Sequence, residues 1–198
     1  MRVFLAGASG VIGVRLIPLL IAAGHQVTGM TRSAEKADRL RELGAEPVVC
    51  DVYDAATLTD AVTGARADLV MHQLTDLPDQ PARFALYMRR NNRIRTEGTR
   101  NLLAAARVAG AERFIAQSIA FKAPGAGRAV ATHERMVLDA GGLVLRYGFF
   151  YGPGAYAKDG KRLPSPKVHV DEAARRTVEV LEAPSGVLVI ADGKLQAA

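Results

Sequence analysis

The feature that most constrains this chain is a glycine triplet close to its first residue. Gly7-Ala8-Ser9-Gly10-Val11-Ile12-Gly13 comes straight after the apolar run Val3–Ala6 and opens a stretch of helical periodicity, Val11–Ala23. Glycines at this spacing permit a tight strand-to-helix turn, let the backbone approach a bound group, and allow the helix to pack closely on the sheet. The free N–H groups and the dipole of a helix start favour an anion. The turn therefore predicts a pyrophosphate-binding βα unit, with Gly7, Gly10, Val11, Ile12 and Gly13 as cofactor-binding residues.

The alternation continues along the chain. Strands are predicted at Gln26–Met30, Pro47–Cys50, Asp68–Leu74, Arg113–Gln117, Leu143–Tyr147 and Gly186–Ile190. Between them lie helices at Ala34–Leu43, Asp54–Thr63, Ala82–Ala109, Thr132–Ala140 and Val170–Glu182. Gly24 and Gly44 are read as stops for the first two helices, and Pro18 as a kink in the first. Short apolar strands separated by helices make βαβ units. The fold class is α/β: a Rossmann-like doubly wound parallel sheet of about seven strands, one domain over residues 1–198, with a reduced substrate-binding region.

Composition narrows the class. The chain is 49% hydrophobic and 23% charged, an ordinary globular balance. Cys50 is its only cysteine, so neither a disulfide framework nor a cysteine-based metal cluster is expected. The four histidines, His25, His72, His133 and His169, are dispersed and lack metal-ligand spacing. No apolar run has the length of a membrane span and no signal-peptide pattern opens the chain, so a cytoplasmic protein is expected.

The end of the second strand carries the next discriminator. A ribose 2′-hydroxyl calls for an acid there, and a 2′-phosphate for an arginine. The sequence reads Met30-Thr31-Arg32-Ser33, with no carboxylate until Glu35. Arg32 favours NADP as the cofactor, with NAD the alternative.

With these residues in view, the chain resembles the extended or atypical short-chain dehydrogenases/reductases, the NAD-dependent epimerase/dehydratase family. The resemblance covers nearly the whole chain. It rests on Gly7–Gly13, Val49–Asp54, Asp68–Leu74, Glu97–Leu103, Arg113–Ser118, Leu145–Gly148 with Tyr151–Gly154, and Val168–Ala174, in family order. It implies that Asp51 and Val52 contact the adenine and that Gln73 and Leu74 line the nicotinamide-ribose side. It also implies that Ser118, the candidate catalytic residue, hydrogen-bonds a carbonyl or hydroxyl of a small-molecule substrate not identified by the sequence. Asn91 shares an apolar helix face with Tyr87, Ile94, Gly98 and Leu102, and so needs a partner: a backbone group near the active site, or one within the core.

Two departures from the family pattern stand out. Members use Tyr-x-x-x-Lys on the helix after the fifth strand, where the tyrosine supplies the proton that accompanies hydride. Aligning Glu134 with the family's glutamate puts Ala126 at the tyrosine and Val130 at the lysine. Ser118, Lys122, His133 and Tyr147 are the substitutes near the sheet's carboxyl edge, with His133 read as a surface or capping residue. The second departure is length. Only 13 residues separate Ser118 from Thr132, and 13 separate Gly154 from Val168, where members carry substrate-binding segments. Residues 119–131 and 152–168 are thus predicted loops. Two functions stay open: an NAD(P)-dependent oxidoreductase on a carbonyl or sugar-nucleotide substrate, and a non-catalytic NADP-sensing or interaction protein.

The net charge of +6 sits in one segment. From Ala82 to Gly110 there are seven arginines and a single acid, Glu97, while the remainder is balanced at 19 basic and 19 acidic residues. A solvated helix face explains this, as does a homodimer through the 82–109 helix, which the resemblance suggests. Nucleic acid is disfavoured because no recognisable module or set of stacking aromatics accompanies the arginines. No membrane partner is expected.

Overall fold

The first strand, β1 (Arg2–Ala6), has no polar face to offer solvent. Val3 and Leu5 enter one buried layer, and Phe4 and Ala6 enter the other. A strand of this kind must be covered on both sides, as parallel sheets are. The computed structural model describes residues 1–78, 84–193 and 196–197, and places β1 at the middle of the molecule.

After β1 come α1 (Gly13–Ala22), β2 (Gln26–Thr31), α2 (Ala37–Glu42), β3 (Glu46–Val49), α3 (Ala55–Gly64) and β4 (Leu69–His72). Next are α4 (Phe84–Arg93), α5 (Thr99–Val108), β5 (Arg113–Ile119), α6 (Gly127–Asp139) and β6 (Leu143–Tyr147). The chain continues through β7 (Phe149–Tyr151), β8 (Lys167–His169), α7 (Val170–Glu179), β9 (Gly186–Ile190) and β10 (Gln196–Ala197). The main sheet has the order β10-β9-β6-β5-β4-β1-β2-β3. Its seven strands from β9 to β3 are parallel and β10 is antiparallel at the edge, while β7 and β8 pair separately. Leu16, Ile17 and Leu20 of α1, with Ala173 and Ala174 of α7, cover one face. Leu58, Val62, Leu102, Ala105 and Val137 from α3, α5 and α6 cover the other.

The strand order reverses at β1, with β2 and β3 to one side and β4, β5 and β6 to the other. In such sheets the crevice beyond the carboxyl ends of the strands, at this reversal, is where a dinucleotide binds. The glycine turn leaves β1 at that point.

Local outcomes follow identifiable causes. Pro18 lies inside α1 on its exposed side, and the helix continues past it to Ala22. The stop comes at Gly24, whose φ of 83° allows Gly24 N–H to reach the Ile21 carbonyl and His25 N–H the Leu20 carbonyl. The expected 82–109 helix is seen from Phe84 to Val108, and Ala82 and Arg83 lie outside the described residues. It is not uniform: Ile94–Gly98 forms a π-helical turn between α4 and α5. α6 starts at Gly127 instead of Thr132, because a turn closed by Ala126 N–H on the Ala123 carbonyl already sets its direction. β4 ends at His72, which leaves Gln73 and Leu74 in the following loop. Among the described residues no helix is long and apolar enough to cross a membrane.

Candidate functional site

The glycine turn is closed by its own backbone. Gly7 has a φ of 93°, and its carbonyl accepts the Gly10 N–H at 3.0 Å. A Cβ on Gly7 would lie 2.6 Å from the Gln73 carbonyl oxygen, and one on Gly13 would lie 2.3 Å from the Gly7 oxygen. A Cβ on Gly10 would stand 3.2 Å from that same oxygen. The first and third glycines thus let β1 and α1 approach each other and the loop after β4. No side chain caps α1 and no acid occupies its first turn, so the N–H groups of Val11, Ile12 and Gly13 at its start meet no competing anion there.

On the β2 side of the turn, Ser9 Oγ and Thr31 Oγ1 lie 3.1 Å apart, and Ala8 N–H donates to the Met30 carbonyl at 3.2 Å. Arg32 follows, with its Nη2 3.8 Å from Asp76 Oδ1. Asp76 is buried, accepts Arg90 Nε–H at 3.0 Å, and donates its backbone N–H to Asn91 Oδ1 at 3.1 Å. Asn91 therefore does find a backbone partner beside the site. Arg93 stacks over the Tyr53 ring at 3.8 Å. Burial pushes the Tyr53 hydroxyl up, and its Oη has no hydrogen-bond partner among the described residues. Asp51 accepts the Tyr53 N–H, and the buried Val52 gives its carbonyl to Asn101 Nδ2 at 2.9 Å. The predicted residues Arg32, Asp51 and Val52 thus belong to one half of the crevice. Tyr53, Asp76, Arg90 and Arg93 were not singled out in the sequence as site residues. The surplus of basic residues on the 82–109 helix was the trace of Arg90 and Arg93, and the Val49–Asp54 motif that of Tyr53.

The β4 side is buried and differently built. Gln73 Nε2 approaches Tyr147 Oη at 3.5 Å, and Gln73 Oε1 has no partner among the described residues. Thr177 donates its hydroxyl to the Ala173 carbonyl, so Tyr147 donates its own to Thr177 Oγ1 at 2.6 Å. Burial pushes the Tyr147 hydroxyl up to about 12. Ser118 is buried and donates to Glu134 Oε1 at 2.5 Å. Glu134 also takes two hydrogen bonds from Arg146, at 2.9 and 2.6 Å. Burial pushes the Glu134 carboxyl up, but the hydrogen bonds from Arg146 and Ser118 outweigh it and hold the group below the usual carboxylate range.

His133 corrects an expectation. It is neither exposed nor a cap, because the early start of α6 carries it well inside the helix and onto the buried face. There Nδ1 lies 2.7 Å from Thr99 Oγ1 and Nε2 lies 2.9 Å from the Gln117 carbonyl. Gly7, Gly10, Val11, Ile12 and Gly13 stand between the two halves, with Gln73 and Leu74 against Gly7 and Ser118 next to the carboxyl end of β5. Ala126 is the buried residue just before α6, and Val130 lies in that helix's first turn.

Comparison with known proteins gives the family and the fold. Residues 7–139 match the family model described as NAD(P)H-binding. The chain is 39% identical to the 3-diazoavenalumate denitrifying reductase of a Streptomyces species, over 97% of this chain and 76% of that one. That match runs over 239 residues, more than the 198 present here, so the relative carries internal residues this chain lacks. A farnesyl-dihydroquinoline-oxide ketoreductase of Stigmatella aurantiaca is 33% identical over 58% of this chain and 32% of its own length. The structure of Thermus thermophilus UDP-glucose 4-epimerase with NAD superposes with a TM-score of 0.77, covering all of this chain and 79% of that one. At 20% identity it shows the shared fold.

Proposed function

This chain belongs to the NAD(P)H-binding family of short-chain dehydrogenase/reductase type, and from that premise we propose that it binds NADPH and reduces a small molecule that needs hydride and no protein-derived proton. The tight turn made by Gly7, Gly10 and Gly13, followed by the uncapped start of α1, suits a pyrophosphate. Arg32 would meet the 2′-phosphate, while Asp51, Val52 and Tyr53 would face the adenine. Gln73 Oε1, buried and unpartnered among the described residues, suits a ribose hydroxyl. A reduced nicotinamide, when bound, supplies hydride.

The observation that speaks against Ser118, Tyr147 and His133 as proton donors is the set of commitments around the β4 half. Ser118 gives its proton to Glu134, Tyr147 to Thr177, and the His133 Nε2–H faces a carbonyl. With Glu134 aligned to the family's glutamate, Ala126 and Val130 take the positions of the tyrosine and lysine. Carbonyl reduction needs a proton as well as hydride. A diazonium group does not: it already carries positive charge, and on taking hydride it breaks its C–N bond and releases dinitrogen, with charge and atoms balanced. The diazo compound in the name of the Streptomyces relative supports this substrate class. Here Ser118 acts by orienting substrate through its oxygen lone pairs.

The test is direct. NADPH and NADH are titrated first, and then NADPH oxidation is followed with an aryl diazonium salt and, separately, with a panel of ketones and sugar nucleotides. NADPH-dependent dinitrogen release is the expected result. Turnover confined to the carbonyl arm overturns the substrate class, and failure to bind either nucleotide overturns the whole proposal. Tight NADPH binding without turnover in any arm instead favours the sensing role. The homodimer through the 82–109 helix belongs to the same proposal and is checked by sedimentation with and without NADPH.

A further inference from the structure

Behind the β4 half lies a closed ring of hydrogen bonds whose direction is dictated by chemistry. The Leu74 N–H can only donate, so His72 Nδ1, 3.3 Å away, accepts and this imidazole carries its proton on Nε2. That Nε2–H donates to Thr99 Oγ1 at 3.1 Å. The Gln117 carbonyl can only accept, so His133 carries its proton on Nε2, leaving Nδ1 to accept the Thr99 hydroxyl proton at 2.7 Å. Gln117 then closes the ring, its side-chain Nε2 donating to the Leu74 carbonyl at 2.9 Å. In this arrangement both imidazoles are neutral.

The surroundings hold this arrangement. The two imidazoles meet edge to face at 5.2 Å, and burial lowers both below their ordinary value of 6.5. The charged groups facing them are Arg95 from the π-helical turn and, beside His133, Glu134 with its partner Arg146. The π-helical turn also brings Thr99 into place, with Thr99 Oγ1 3.5 Å from the Ile94 carbonyl. Such turns often mark functional sites. The ring fixes both backbone polar groups of Leu74, its N–H and its carbonyl, and Leu74 N stands 3.0 Å from where a Gly7 Cβ would be.

We propose that His72, Thr99, His133 and Gln117 are positioning residues that hold the Gln73–Leu74 backbone against the glycine turn and so orient the nicotinamide half of a bound dinucleotide. This rests on the cofactor reading given above. The ring couples β4, α5, α6 and β5 through one threonine hydroxyl, so Thr99→Val opens it at two places while Thr99→Ser keeps it. Gln117→Leu removes only the bond to the Leu74 carbonyl.

The experiment has two arms. In the free protein, amide exchange at Leu74 should be slow, should quicken about tenfold in Thr99→Val, and should return to the original rate in Thr99→Ser. In the binding arm, Thr99→Val and Gln117→Leu should each weaken NADPH about tenfold. Both should change the affinity for adenosine 2′,5′-bisphosphate, which lacks the nicotinamide half, less than about twofold. A general loss of structure would weaken both ligands equally, and that outcome overturns the proposal. So does an unprotected Leu74 amide in the unmodified protein, or a Thr99→Val variant that binds NADPH normally. If the unmodified protein binds neither nucleotide, the cofactor reading fails and takes the orienting role with it. The ring itself is still decided by the Leu74 amide.

Discussion

The two halves of the crevice solve different problems with different chemistry. On the β2 side the cations remain accessible: Arg32 and Arg90 flank the buried Asp76, and Arg93 covers Tyr53. On the β4 side the polar groups are withdrawn from solvent, and most are neutral and paired one to one. Recognising a phosphate requires a full charge that water has not been made to abandon, since burying an ion costs several kcal/mol. Orienting a ring requires a fixed backbone, and neutral hydrogen bonds in a dry interior supply that at lower cost. Glu134 with Arg146 is the exception on the buried side, and its double hydrogen bond explains how it persists.

The strongest way to break the comparison is to remove what both halves share. Gly13→Ala would place a Cβ 2.3 and 2.5 Å from two backbone oxygens, neither of which can move aside. A loss of about 3 kcal/mol or more in unfolding free energy is expected. NADPH binding should weaken at least about a hundredfold, as read by denaturant titration and calorimetry.

Next in size is a change confined to the buried side. Arg146→Met leaves Glu134 without its cation in a mostly buried place. It should destabilise by about 2 kcal/mol, below the usual cost of a broken buried pair because Arg146 is 36% exposed. The Glu134 carboxyl should titrate higher in this variant, which carbon-detected NMR would follow.

Arg32→Asp tests the other side alone. NADPH should bind about tenfold more weakly, NADH should bind as well or better, and the unfolding midpoint should barely move. The proposed preference for NADPH should shrink at high salt, because Arg32 is exposed. If NADH already binds better in the unmodified protein, the assignment of Arg32 is wrong.

The smallest effect is one of pH. His72 and His133 are held below 6.5 chiefly by burial, and so is His25 at the other end of the sheet. The unfolded chain therefore takes up protons that the native state refuses. Their contribution is complete above about pH 6.5 and is lost progressively as pH falls below it. Denaturant titrations between about pH 7.5 and 5.5 should therefore show stability declining as the pH falls. His25→Asn removes the share belonging to His25. The paired carboxylates Asp68 and Glu172, both held at about 2, lose their contribution only below the ordinary carboxylate range.

Much of the β2 side was legible from residues near one another in the chain. The glycine spacing marks a start of α1 suited to an anion, and Arg32 comes directly after a strand that the apolar pattern marks. The β4 side was not. His133 looked like a surface residue because the start of α6 was misplaced, and the 82–109 helix carried no sign of its π-helical turn. Thr99, an ordinary helix residue in the sequence, became the junction of the ring. Ser118 was identified by position, while its bond to Glu134 depended on β5 and α6 lying side by side.

By itself, then, the sequence determined what nearest neighbours can determine: strands with two apolar faces, helices with glycine stops, the closed turn at Gly7–Gly13 and the cation that follows β2. These depend on periodicity and on backbone freedom, which a single chain segment already possesses. Only the tertiary structure decided which donor meets which acceptor. His72, Thr99 and His133 are separated by 27 and 34 residues, and a hydrogen bond forms only when packing sets two atoms about 3 Å apart in a dry interior.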